Sequence, residues 1–225
     1  MAYNMAFTMT HLIIADNINT IYADNICDLP QFFLGSIAPD AIHNRAGYVS
    51  DFKKNSHLCT GNEKWGMLTN NEENTDNAIE FLRENINSKD RDFIIGYCTH
   101  ILTDIYNNIA LWTPFRERYS YDLDKGYGSL YHNENNLIDI HLALTHEKIG
   151  MFWRYLTESR GVDLPDYIYA AEIEAQKDKI LNIWYRGKEL PDLSSNTFIT
   201  YDVVMDLIEK ATDYTARHLS KALFL

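Results

Sequence analysis

Apolar residues recur along most of the chain at the spacing of one helical face, and no strand pair stands out. Thr10 is placed to cap an early helix through about Asn19, with Leu12, Ile13 and Ala15 inside. A short helix from Leu29 to Ala38 ends where Pro39 disfavours continuation. Residues 43–63 are polar and without period, which predicts a loop. Asn74 or Thr75 opens a helix through Ile79, Leu82 and Ile86. From Arg91 to Trp112 the apolar positions run nearly all round, the mark of a central buried helix. A loop over 120–131 precedes a long helix from Asn133 to Glu158, and Pro165 starts another to about Trp184. After a Pro/Gly/Ser connection, Thr200 caps an amphipathic helix carrying Val204, Leu207, Ile208 and Ala211. Six or seven helices predict an all-α fold, a single-domain multi-helix bundle over residues 1–225.

Certain polar residues interrupt these apolar stretches. His100 and Asp104 stand four residues apart in the central helix, so both side chains share one face. Burying them unpaired costs several kcal/mol, roughly, so they either hydrogen-bond each other or ligate a cation together. His11 is a lone imidazole beside an apolar stripe, which taken alone is more often a satisfied core histidine than a ligand. Asp40 follows Pro39 directly after a buried-looking helix, where a turn or cap is the alternative to a ligand. His57 lies in the polar stretch beside Lys53 and Lys54, which read as a solvated basic pair. Three imidazoles and two carboxylates make the donor inventory of a zinc cluster, but their separation leaves open whether they converge.

Composition narrows the chemistry. The 225 residues carry 20 Lys+Arg against 32 Asp+Glu, a formal net charge of -12. Extended nucleic acid is therefore a poor partner, since each phosphate contact calls for a basic group. A pocket that carries its positive charge as metal remains open. Cys27, Cys59 and Cys98 show no paired spacing and are read as buried, reduced thiols. No leader pattern and no long apolar run are visible, so the expected compartment is the cytoplasm. Trp65, Trp112, Trp153 and Trp184 are read as core residues.

The order T-x-H, L-G-x-x-x-P-D, S-H and G-Y-x-T-H-x-x-x-D over residues 8–108 resembles the zinc-dependent phospholipase C family of bacteria. The resemblance implies an all-α domain holding one to three zinc ions in a cleft. It also implies hydrolysis of a phosphodiester, either a small molecule or a phospholipid head group, by metal-activated water. On this likeness His57, His100 and Asp104 share one zinc, with Asp104 able to bridge. His11 binds a second ion, and Asp40 ligates metal or acts as general base. A later helix supplies a further His and carboxylate, for which His132 and Glu134 are the candidates ahead of Asp139 and His141. His43 is placed around the ligands, and His146 and His218 at the surface or in packing. Two features depart from the pattern: Asn108 stands where many relatives have histidine, and no free amino terminus is placed near His11. Asn108 and the irregular 131–141 segment motivate one alternative, a catalytically degenerate metal-binding or structural relative; a nuclease on the same fold is another, and it needs a basic or aromatic groove for the strand.

Overall fold

The periodic segments fold as ten α-helices in a computed structural model that describes residues 8–63, 65–123, 125 and 129–224. They are α1 (Thr8–Ile21), α2 (Leu29–Gly35), α3 (Phe52–Ser56), α4 (Asn71–Asn85), α5 (Arg91–Asn107) and α6 (Thr113–Leu123). The second half adds α7 (Leu130–Thr145), α8 (Ile149–Glu158), α9 (Ala170–Lys179) and α10 (Tyr201–Leu223). A 3₁₀ segment covers Pro39–Asn44, and π-helical turns cover Asn108–Trp112 and Ile180–Trp184. The one β contact among the described residues is the Leu164–Ile168 bridge. The fold is all-α, as the periodicity predicts. No described helix is long and apolar enough to cross a membrane.

Helix α5 lies at the centre. Phe93, Ile94, Ile95, Cys98, Ile101 and Leu102 are buried on all its sides, so it has to be covered all round. Helices α1, α2, α4 and α10 do this. The closest crossing is between α2 and α5, where Gly35 and Gly96 let the two backbones meet. A Cβ on Gly96 would stand 2.0 Å from the Phe32 carbonyl oxygen, and one on Gly35 equally close to that of Phe93. This approach brings the carbonyl of Ser36 to the His100 ring.

Local signals set several helix starts. Asp28 accepts from the Gln31 amide at the start of α2, where Pro30 occupies the first turn. Thr200 caps α10 through the Val203 amide. Other expectations are revised. The helix expected over 133–158 is two, because His146 adopts an extended backbone that lets α7 and α8 diverge. The Pro165 start gives way to a bridged turn with Asp166 at φ 74°, and α9 opens at Ala170. Residues 52–56 of the predicted loop form α3. Of the thiols, Cys98 is buried and Cys27 exposed.

Candidate metal centre

Four segments far apart in sequence meet at one point. Asp40 comes from the 3₁₀ turn that Pro39 opens after α2, and His57 caps the C-terminus of α3. Helix α5 supplies His100 and Asp104 one turn apart, and α1 supplies His11. One donor atom each from Asp40, His57, His100 and Asp104 lies within 4.8 Å of all the others. Asp104 Oδ2 is 3.2 Å from His57 Nε2 and 3.5 Å from His100 Nε2. Asp40 Oδ1 is 3.5 Å from His57 Nε2, and its Oδ2 is 4.0 Å from His100 Nε2.

Backbone carbonyls fix which ring nitrogen faces the cluster. His100 Nδ1 donates to the Ser36 carbonyl at 2.8 Å, and His57 Nδ1 to the Lys53 carbonyl at 3.0 Å. A carbonyl only accepts, so an Nδ1 that faces one carries hydrogen, and as a metal ligand each ring would present its Nε2 lone pair to the cluster. Both Nε2 atoms are buried and neither completes a hydrogen bond of good geometry. An imidazole anchored through one nitrogen and left open at the other is arranged as a metal ligand is. Tetrahedral zinc with bonds of about 2.0–2.2 Å spaces its ligands roughly 3.3–3.6 Å apart, close to three of the edges measured here, with the Asp40–His100 edge longer at 4.0 Å. The residues therefore fit zinc.

His11 joins from the opposite side. Its ring stacks on His100 with centroids 3.8 Å apart, and its Nε2 lies 3.3 Å from Asp104 Oδ1. Asp104 thus divides its two oxygens, one toward His11 and one toward His57 and His100. Burial opposes ionisation of Asp104, yet in the metal-free site the field and hydrogen bond of His100 and the hydrogen bonds of His11 and His57 outweigh it and hold its carboxyl well below the usual range. Asp40 likewise stays ionised against burial, chiefly through Lys53 and then His57 and His100. Burial, reinforced by His100, lowers the pKa of His11.

The cluster opens into a cavity of about 370 Å³. Trp65, Leu68, Ile101, Trp112 and Tyr131 form apolar walls, and Asn71, Asn74, Asn107 and Asn108 add amides. The π-helical turn at Asn108–Trp112 aims two of these residues inward. Asn108 donates to the Leu68 carbonyl and to Asn71 Oδ1, so its amide is tied to the cavity wall. Lys53 is not a solvated loop residue: its side chain is 12 % exposed, its ammonium 2.7 Å from Asp40 Oδ1 and 4.7 Å from the Trp65 ring centre. Trp65 and Trp112 are partly buried and line the cavity, and Trp112 also packs against the core. The sequence reads Lys53 as solvated because residues 43–63 show no helical period; the fold of α3 is what puts it one turn before His57 and turns it inward.

The candidates from the later helix separate. His132 lines the same cavity but stands outside the four-donor group. Glu134 is used elsewhere: its carboxylate accepts from the backbone amides of Thr197, Phe198 and Ile199 and from the Thr197 hydroxyl. Helix α7 turns this residue toward the segment leading into α10, so its reading as a metal ligand is replaced by a structural one. Asp139 receives the Met9 amide and the Tyr185 hydroxyl, and His141 packs against Tyr201. His43 does sit behind Asp40, with Nδ1 donating to its carbonyl and Nε2 meeting the Tyr48 hydroxyl. His146 stacks on Phe152, and His218 bonds the Tyr214 carbonyl.

An all-helical fold that gathers Asp40, His57, His100 and Asp104 at one point, with His11 against Asp104, makes a candidate metal centre. Residues 10–106, somewhat under half of the chain, match the model of the zinc dependent phospholipase C family, and over that stretch the chain is similar to it. The matched stretch contains His11, Asp40, His57, His100 and Asp104 and ends before His132 and Glu134. No curated protein and no solved structure matches the chain.

Proposed function

We propose that this protein is a zinc-dependent hydrolase of phosphodiester bonds, acting on a small phosphodiester or a phospholipid head group. The observation that carries the reading is the pair of buried Nε2 atoms, on His57 and His100, anchored from behind and left unbonded between two carboxylates. His57, His100 and Asp104 would hold the ion, with His11 on the far oxygen of Asp104. Zinc, when bound, polarises a phosphoryl oxygen and lowers the pKa of the attacking water. Asp40 is ionised and faces the cavity, so it is in the form that takes a proton from that water. The apolar walls suit the organic part of a diester and limit competing water. Among the described residues, the acidic and basic side chains lining the cavity are Asp40, Lys53 and Asp104, and Lys54 pairs with Asp51 at 3.8 Å. That arrangement favours a compact substrate over a nucleic-acid strand, which needs a basic track.

Metal analysis and diester hydrolysis test the proposal together. The purified protein should carry zinc and cleave a chromogenic phosphodiester, and Asp104→Asn should lose both while keeping its helical circular dichroism. Zinc-loaded protein inactive on every diester tried would instead favour the degenerate metal-binding reading, to which the tethered Asn108 amide lends support.

A further inference from the structure

Lys53 is placed to do more than balance a carboxylate. Its backbone carbonyl orients His57 through Nδ1 at 3.0 Å, while its ammonium lies 2.7 Å from Asp40 Oδ1. One residue therefore positions a ligand and delivers a fixed cation to the same cavity. The Trp65 ring covers both groups, with its centre 4.7 Å from the ammonium and 4.7 Å from the His57 ring centre. Such cover keeps the ammonium in place and lowers its exposure to water, which strengthens its field on anything in the cavity. Among the described residues lining the cavity, Lys53 is the one lysine or arginine.

The charge balance points the same way. With one divalent ion, two carboxylates and one ammonium, the centre is left with a single positive charge. That complements the single negative charge of a phosphodiester. Without Lys53, one ion would be neutralised by Asp40 and Asp104, leaving nothing to attract an anion into a protein of formal net charge -12. An ammonium has three donors, and Asp40 occupies one direction, so others are free to meet a phosphoryl oxygen.

We propose that Lys53 is the second cation of this centre, a phosphate-binding residue whose ammonium holds a non-bridging phosphoryl oxygen beside the metal. This inference rests on the proposed zinc site but is tested separately from turnover. Zinc-loaded wild type, Lys53→Met and Lys53→Arg would be titrated calorimetrically with inorganic phosphate and with dimethyl phosphate, with zinc content measured on the same samples. Lys53→Met should keep its zinc and lose roughly 10-fold to 100-fold in affinity for both anions, the effect of removing one charge-assisted hydrogen bond. Lys53→Arg should recover most of that loss. Unchanged binding of either anion by Lys53→Met overturns the proposal, as does loss of zinc from that variant, which would reduce Lys53 to a prop for Asp40. Zinc-loaded wild type that binds neither anion also overturns it. A wild type that takes up no zinc refutes the metal-centre reading itself, and this inference with it.

Discussion

Replacing Gly96 with alanine tests whether the α2–α5 crossing holds the metal centre in shape. The added Cβ would stand 2.0 Å from the Phe32 carbonyl oxygen and 3.0 Å from the Ser36 amide nitrogen, both backbone atoms that no rotamer change can move. Helix α2 must retreat by more than about 1 Å to restore ordinary contact. Such overpacking against backbone costs about 3 kcal/mol, the upper end of its usual range, or roughly 6–12 °C in Tm for a chain of this size. The same movement lengthens the 2.8 Å bond from His100 Nδ1 to the Ser36 carbonyl beyond hydrogen-bond reach. Losing such a bond behind a metal-binding imidazole weakens metal affinity about 10-fold to 100-fold. Thermal unfolding and zinc competition against a chelating dye read the two effects independently. Gly150→Ala is the control, because an added Cβ there meets nothing within 4 Å and should leave both readings intact or slightly raise Tm. A Gly96→Ala protein that melts early yet binds zinc as the wild type does would refute the coupling. Unchanged melting would refute the crossing itself.

Glu134→Gln should lower stability by about 2–3 kcal/mol, since a charged acceptor of three backbone amides becomes a neutral one, while zinc content stays at the wild-type level. Zinc loss in that variant, measured by atomic emission, would return Glu134 to the metal centre. Asp139 should set part of the pH dependence of the metal-free protein. Burial pushes its carboxyl up to about 6, against the Tyr185 hydroxyl, the Met9 amide and His11. Folded protein therefore holds a proton that the unfolded chain releases, and this contribution to stability falls as pH rises from about 4 to about 6. His43 acts in the opposite sense: burial, reinforced by Lys53, lowers it to about 4, so its contribution is lost as pH falls from about 6.5 toward 4. Asp139→Asn removes the first effect and leaves the second, so urea midpoints should drop more steeply on acidification than in the wild type. Parallel curves for the two proteins would show that Asp139 titrates normally.

Much of this architecture is legible in the order of residues. The all-round apolar stretch of α5 requires burial, and the i, i+4 spacing of His100 and Asp104 requires a shared face whatever surrounds it. Thr200 and Pro39 announce their boundaries through local backbone chemistry. The break between α7 and α8 is less legible, because residues 145–148 hold no proline or glycine to mark it. Glu134 and His132 share a helix and a polar neighbourhood in sequence, yet one caps the approach to α10 and the other lines the cavity. Periodicity on a partly buried helix does not say which neighbour each face will meet.

By itself, the sequence determined the helical class, the central element and the shared face of His100 and Asp104, because those follow from spacing along one chain; His11, Asp40 and His57 stood as further candidates by residue type and by the family resemblance. Tertiary structure alone decided that the five meet. It also decided that Ser36 and Lys53 anchor two of the imidazoles, and that Lys53 reaches inward rather than into solvent. The physical reason is range. A helical face is set by neighbours three or four residues away, whereas the bond from His100 to Ser36 spans 64 residues and exists only where two glycines let their helices touch.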